Sequence, residues 1–168
     1  QELEFEHPTV IQRNVIPAVL DGSDVLAHAI TGSGKTACYL LPILQKYIRL
    51  RQTGGAQQGR IRFLVLQPTR ELAIQCHSML MSLSKYIMVS KDVLSLEDQI
   101  AQQRRDLDNS PDFVVATTGR LLDHAKNHMG FSLEDIEILV LDEADRLIEM
   151  GFKDEVQSIV QMCKNPRR

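Results

Sequence analysis

Two clusters of residues in this chain have the types and spacing to do chemistry. The first is Ala29-Ile30-Thr31-Gly32-Ser33-Gly34-Lys35-Thr36, which follows the apolar run Val25-Leu26-Ala27 and precedes a helical pattern over 37–51. A strand, a glycine-bearing loop ending in Gly-Lys-Thr, and then a helix form a phosphate-binding arrangement. Glycines 32 and 34 let backbone N–H groups turn inward, and the helix start adds unpaired donors and a positive dipole end. In this arrangement Thr31, Gly32, Ser33 and Gly34 cradle phosphate, Lys35 reaches the outer phosphates, and the Thr36 hydroxyl ligates Mg²⁺. Ala29 stands where the strict pattern has its first glycine. The second cluster is Asp142-Glu143, which ends the apolar run Ile138-Leu139-Val140-Leu141. Asp142 at a strand end can hold Mg²⁺ through water, because Mg²⁺ keeps much of its hydration shell. Glu143 can orient and deprotonate a water that attacks the terminal phosphate. The plain alternatives are a helix start that merely contains Gly and Ser, and a solvated acidic turn.

Positioning these clusters falls to a regular alternation of elements. Phe63-Leu64-Val65-Leu66, Phe113-Val114-Val115-Ala116 and Ile138–Leu141 are unbroken apolar runs, as expected of strands buried on both faces of a parallel sheet. Residues 89–96 form a weaker strand candidate. Thr9 is a plausible N-cap for a helix carrying Val10, Ile11, Val15 and Ile16, which Pro17 should stop or kink before the Asp21-Gly22 turn. Pro42 should likewise kink or break the helix over 37–51. Further helices are expected from Pro68-Thr69-Arg70 to about Tyr86, over 97–107, over Leu121–Lys126 and over 152–162. Gln52 to Gly59 lacks periodicity and has the composition of an exposed loop. Strand then helix, repeated about five times, predicts an α/β fold: a doubly wound, mostly parallel sheet with helices on both faces. Ligands bind such sheets at the strands' carboxyl ends. The phosphate loop, Pro68–Ala73, Thr117–Arg120 and Asp142–Asp145 should therefore share one edge.

The bulk figures bound the answer. At 168 residues, 43% hydrophobic and 24% charged, the chain is one globular domain over 1–168. No apolar run approaches the roughly 20 residues of a membrane span, so no membrane partner is expected. The chain opens at Gln1 in polar sequence without a signal peptide and has the look of a piece cut from something longer. Cys38, Cys76 and Cys163 are odd in number and far apart, which favours free thiols in a reducing compartment. His124 and His128 have the spacing to share a metal, but two solvated histidines are the simpler expectation. A net charge of −3 neither advertises nor excludes a nucleic-acid partner.

Taken together, the motifs resemble the N-terminal RecA-like domain of DEAD-box RNA helicases over essentially the whole chain. Asp142-Glu143-Ala144-Asp145, continued by Arg146-Leu147-Ile148-Glu149-Met150-Gly151-Phe152, matches the stretch that names the family. Phe5, Pro8, Thr9, Ile11 and Gln12 match its adenine-recognition motif, which implies that Gln12 bonds the adenine edge and Phe5 packs on the ring, with Thr9 alongside. Pro68-Thr69-Arg70-Glu71-Leu72-Ala73 matches the first RNA-contacting motif. Thr117-Thr118-Gly119-Arg120 resembles the second, with Thr118 where the family usually has proline. A larger departure is Ser95-Leu96-Glu97, where the family commonly has a Gly-Gly turn close to the RNA backbone.

The resemblance implies ATP and Mg²⁺ as cofactors, with Lys35, Asp142 and Glu143 catalytic, Thr36 and Asp142 near the metal, and Asp145 coupling hydrolysis to strand separation. It implies RNA, as a single strand or short duplex, bound through Pro68, Thr69, Arg70, Thr117, Gly119 and Arg120. The function implied is that of a monomeric, intracellular ATP-dependent RNA helicase. Asp112–Thr117, Gly119–His124 and Phe131–Ile138 look closest to nucleolar ribosome-assembly members, which favours the nucleus. The Ser-Ala-Thr motif and the second RecA-like domain are not in the 168 residues, so this piece alone should bind nucleotide weakly and scarcely hydrolyse it. Rival readings are a DNA-acting or other remodelling ATPase, a nucleotide-gated RNA clamp, and a small-molecule kinase. The last leaves Gln12 and Pro68–Ala73 without a role.

Overall fold

Leu64 and Val65 are neighbours on one strand and must both be hidden, which requires a sheet covered on its two faces. The computed structural model, which describes residues 7–30, 32–54, 60–87, 93–95, 111–127 and 130–164, has that architecture. Its elements in order are α1 (Val10–Leu20), α2 (Lys35–Gln52), β1 (Phe63–Gln67), α3 (Arg70–Ser84), β2 (Val93–Ser95), β3 (Phe113–Thr117), α4 (Thr118–Asn127), β4 (Ile138–Leu141), α5 (Ala144–Glu149) and α6 (Lys153–Met162). The strands run parallel in the order β2-β3-β1-β4.

Alternation along the strands feeds two cores. Phe63, Val65, Phe113, Val115 and Ile138 pack with Leu40, Ile43, Leu44 and Tyr47 of α2 and Ala73, Cys76 and Leu80 of α3. Leu64, Leu66, Val114, Ala116 and Leu139 pack on the other face with Leu121 and Leu122 of α4 and Ile159 of α6. Phe113 carries an edge-on contact to Tyr47 at 5.0 Å and a tilted one to Phe63 at 4.7 Å. The helices therefore flank the sheet on both faces, as expected of a doubly wound fold.

Several local expectations are corrected. Residues 23–30 form no strand: Leu26 is 97% exposed and Ile30 81%. Three apolar residues are too short a run to specify a ladder partner, and β4 pairs with β1 alone among the described strands. Pro17 does not stop α1, whose last turn continues to Leu20. The proline faces solvent, where the missing N–H exposes one carbonyl to water. α2 runs on past the buried Pro42 without a break. α4 begins at Thr118, three residues earlier than expected, so Thr118-Gly119-Arg120 lie in its first turn. His124 is not solvated: it is 2% exposed, and its ring lies 6.4 Å from that of Phe131. His128, the helix expected over 97–107, and Leu96 and Glu97 lie outside the described residues. All three cysteines are buried thiols, outside any disulfide. Among the described residues no helix is long and apolar enough to cross a membrane.

A partly buried charge cluster ties the sheet's far end. Arg62 bonds Glu137 at 2.7 Å and lies 3.5 Å from Asp112, while Lys46 of α2 reaches Glu137 at 2.9 Å. Burial alone would raise the Glu137 pKa, but bonds to Lys46 and Arg62 outweigh it and hold the carboxyl below its ordinary value. A depressed carboxylate pKa contributes stability that is fully present above the unfolded value and lost as pH falls through the folded one. Glu137→Gln should therefore flatten the acid limb of a denaturation profile below about pH 5. Urea midpoints measured across that range check it, and an unchanged slope refutes it.

Candidate active site

Register places the strand ends in one row. Gln67 of β1 is the ladder partner of Thr117 of β3, and Leu66 is the partner of Leu141 of β4. The ladder extends one bond further, with Asp142 N–H donating to the Leu66 carbonyl at 3.1 Å. Thr117, Gln67 and Asp142 thus stand side by side at the carboxyl edge. The segments that follow them, Pro68-Thr69-Arg70, Thr118-Gly119-Arg120 and Glu143-Ala144-Asp145, leave the sheet together.

The phosphate loop reaches the same edge although no strand precedes it. Lys35 Nζ lies 3.6 Å from Glu143 Oε1 and donates to the Ala29 carbonyl at 2.6 Å. Gly32 and Gly34 both hold positive φ, at 81° and 89°. Gly34 is the N-cap of α2 and offers no side-chain cap, so the amides of the first turn keep their donor capacity for an anion. The Ser33 hydroxyl is buried with no protein partner, which is a further donor in this loop. Thr36 lies half-buried in that first turn. Thr31 lies outside the described residues, as does Phe5.

Gln12 is the hinge between α1 and the loop. Its Oε1 accepts from Thr9 N–H at 2.9 Å, while Thr9 Oγ1 accepts from Gln12 N–H at 3.4 Å, a reciprocal capping box. Its Nε2 donates to the Gly34 carbonyl at 3.2 Å. The glutamine among apolar neighbours thereby has a structural role, beside which any contact to a base must be made. A methyl group on Gly34 would stand 2.5 Å from Gln12 Nε2 and would hold an unfavourable φ. Gly34→Ala should cost about 1 kcal/mol and displace Gln12. Chemical denaturation and nucleotide titration of that variant read both effects.

Glu143 alone among the described non-glycine residues has positive φ, at 48°. It caps α5 with its carbonyl, which accepts from Leu147 N–H at 3.1 Å. Strain of about 1–3 kcal/mol at such a position persists only where the surroundings over-determine it. Asp142 is held by three donors: the Tyr39 hydroxyl at 2.8 Å and Gln67 Nε2 at 2.9 Å, both on Oδ2, and Glu143 N–H at 3.1 Å on Oδ1. Cys76 Sγ lies 3.4 Å from the Tyr39 hydroxyl. Burial pushes the Cys76 thiol up to about 11, and burial likewise raises the Tyr39 phenol, so both stay protonated donors. Motif reading did not find Tyr39, Gln67 or Cys76, since none has a neighbour in sequence that marks it.

In the other segments, Thr69 caps α3 by accepting from Leu72 N–H at 3.4 Å, and Arg70 is exposed. Gly119 is exposed and Arg120 half-buried. Thr118 is 1% exposed, and its hydroxyl donates to Glu155 Oε2 at 2.6 Å. Proline would fit this first helical position after an extended residue. The threonine adds a bond that anchors the start of α4 to α6. Asp145 is exposed, with Oδ1 accepting from Arg146 N–H at 2.9 Å.

No group of three or more His, Cys, Asp or Glu suited to a metal occurs among the described residues. The donor set that does exist, one carboxylate and one hydroxyl beside a phosphate cradle, suits a hard, largely hydrated cation that nucleotide phosphates help to hold.

The probable ATP-dependent RNA helicase ddx27 of Dictyostelium discoideum is 46% identical over 168 residues, covering 100% of this chain and 21% of the relative. ATP-dependent RNA helicase drs1 of Schizosaccharomyces pombe is 44% identical, covering 99% of this chain and 22% of the relative. The chain thus spans about a fifth of the length of these curated relatives. Among solved structures, a hypothetical ATP-dependent RNA helicase from Sulfolobus tokodaii superposes with a TM-score of 0.83 at 34% identity, over 99% of this chain and 46% of that one. A DEAD box protein from Methanococcus jannaschii gives 0.81 at 33%, over 98% and 44%. The DEAD/DEAH box helicase profile matches residues 9–168, and the chain therefore belongs to the DEAD/DEAH box helicase family.

Proposed function

We propose that these residues form the ATP-binding half of an ATP-dependent RNA helicase, in which Mg²⁺-assisted hydrolysis is coupled to binding of single-stranded RNA. The observation that carries the reading is the approach of Lys35 to Glu143, 3.6 Å apart, beside Asp142 on the sheet's carboxyl edge. Lys35 would move from the Ala29 carbonyl to the outer phosphates, with Ser33 and the α2 amides completing the cradle. Gln12, and Thr9 and Phe5 with it, would select adenine. Thr36 and Asp142 would hold Mg²⁺, which supplies charge neutralisation of the phosphates. Glu143 would take the proton of the attacking water.

RNA phosphates would meet Pro68, Thr69 and Arg70 at the end of β1, and Thr117, Gly119 and Arg120 at the end of β3. These ends are adjacent in the sheet, which supports one continuous track. Asp145, exposed beside the acidic pair, would relay hydrolysis to strand separation with a second RecA-like domain. The names of the curated relatives support the activity, and the likeness to nucleolar ribosome-assembly helicases supports work in the nucleolus. ATP turnover of the full-length protein with and without RNA tests the reading, with Lys35→Ala as control. RNA-independent turnover, or turnover that survives Lys35→Ala, refutes it.

A further inference from the structure

Behind the acidic pair lies a polar cluster that the proposed hydrolysis does not itself use. Gln67 is 1% exposed and Tyr39 is mostly covered, yet each spends its donor on the same carboxylate oxygen, Asp142 Oδ2, at 2.9 and 2.8 Å. A buried glutamine amide is costly here, since its Oε1 finds no protein partner. What the buried amide does offer is Nε2, whose shortest bond is to Asp142. Gln67 Nε2 also lies 3.4 Å from the Tyr39 hydroxyl, closing a triangle with the carboxylate.

Each corner comes from a different part of the fold. Tyr39 is one turn into the helix that begins with Lys35 and Thr36, so it moves with the phosphate loop. Gln67 ends β1, directly before Pro68-Thr69-Arg70. Asp142 follows β4. With Oδ2 saturated by these two donors, the carboxylate cannot turn about its terminal torsion without breaking both bonds. Oδ1 accepts only the Glu143 N–H at 3.1 Å among the described protein donors and retains acceptor capacity.

We propose that Tyr39 and Gln67 are positioning residues for Mg²⁺-nucleotide binding, locking Asp142 so that Oδ1 is presented to the hydrated cation. This rests on the reading of Asp142 as the residue that meets the metal's water. Partners that orient a ligating carboxylate from behind typically contribute 10–100-fold to metal affinity, about tenfold being expected for each donor here.

The test is calorimetric titration of ADP into the full-length protein, once with MgCl₂ and once with EDTA. Tyr39→Phe removes one hydroxyl, and Gln67→Leu replaces the amide with an apolar group of similar size. Each should reduce the Mg²⁺-dependent gain in ADP affinity by about tenfold while leaving affinity in EDTA unchanged. Thermal unfolding without nucleotide confirms that both variants fold. Equal losses with and without Mg²⁺ mean that the two residues only pack the site, and overturn the proposal. An undiminished Mg²⁺ gain in both variants overturns it as well. Asp142→Asn separates the two levels of argument. If that variant keeps the Mg²⁺ gain, the assignment of Asp142 falls and takes the proposal with it. If it loses the gain while Tyr39→Phe and Gln67→Leu keep theirs, the proposal alone falls.

Discussion

Glu143→Gln is expected to lower ATP turnover of the full-length protein by about 10²–10⁴-fold, the usual contribution of a positioned general base. Nucleotide affinity should change by less than about tenfold, because the ion pair lost to Lys35 is partly solvated and such pairs are worth about 0–1 kcal/mol. The backbone argument makes this variant a clean one. Glu143 sits at φ 48° and ψ 48° as the N-cap of α5, with no side-chain cap bond of its own. Glutamine has the same shape and meets the same backbone cost, so helix α5 and the neighbouring Asp142 should stay in place. The discriminating measurement pairs single-turnover hydrolysis with nucleotide binding on the same preparation. A fall in rate of less than tenfold removes Glu143 from the role of base. An equal fall in rate and affinity assigns it to ground-state binding instead.

The parts of this fold that were legible in the sequence are those where burial leaves a continuous signal. Phe63–Leu66, Phe113–Ala116 and Ile138–Leu141 are hidden on both faces, and an unbroken apolar run is what such strands require. Lys35, Asp142 and Glu143 were legible for a different reason: their neighbours, Gly34-Lys35-Thr36 and Asp142-Glu143-Ala144-Asp145, are short local patterns. The failures share a cause. Val25-Leu26-Ala27 has the composition of a strand, but a strand exists only through its ladder, and the ladder is not encoded locally. His124 looked solvated, but α4 packs that side against Phe131. Thr118 looked like a mere departure from proline until α6 brought Glu155 to its hydroxyl. The cluster behind Asp142 was the hardest to foresee. Tyr39 and Asp142 are 103 residues apart and Gln67 and Asp142 are 75 apart, so only the sheet order β1-β4 and the docking of α2 bring them together.

Residues 1–168 alone are expected to hydrolyse ATP at least about 10³-fold more slowly than the full-length protein with RNA, while still binding nucleotide. The reasoning is electrostatic. Phosphoryl transfer spreads charge over the phosphate oxygens, and a cation supplied from a facing domain contributes about 10³–10⁵ in related reactions. Within the described residues, the cationic side chain that meets the acidic pair is Lys35, and it is shared between Glu143 and the Ala29 carbonyl. One lysine engaged in that way can anchor the outer phosphates, but it cannot also follow charge that develops on the leaving side. The solved relatives that this chain matches are about twice its length, which leaves room for a second domain to face this edge. Asp145 is exposed at the same edge, where its Oδ1 accepts from Arg146 N–H. Multiple-turnover assays of both proteins at equal concentration, with saturating RNA, decide the matter. A rate for the 168 residues within tenfold of the longer protein would mean that this sheet edge completes the catalytic charge by itself, and the division of labour argued here would be wrong.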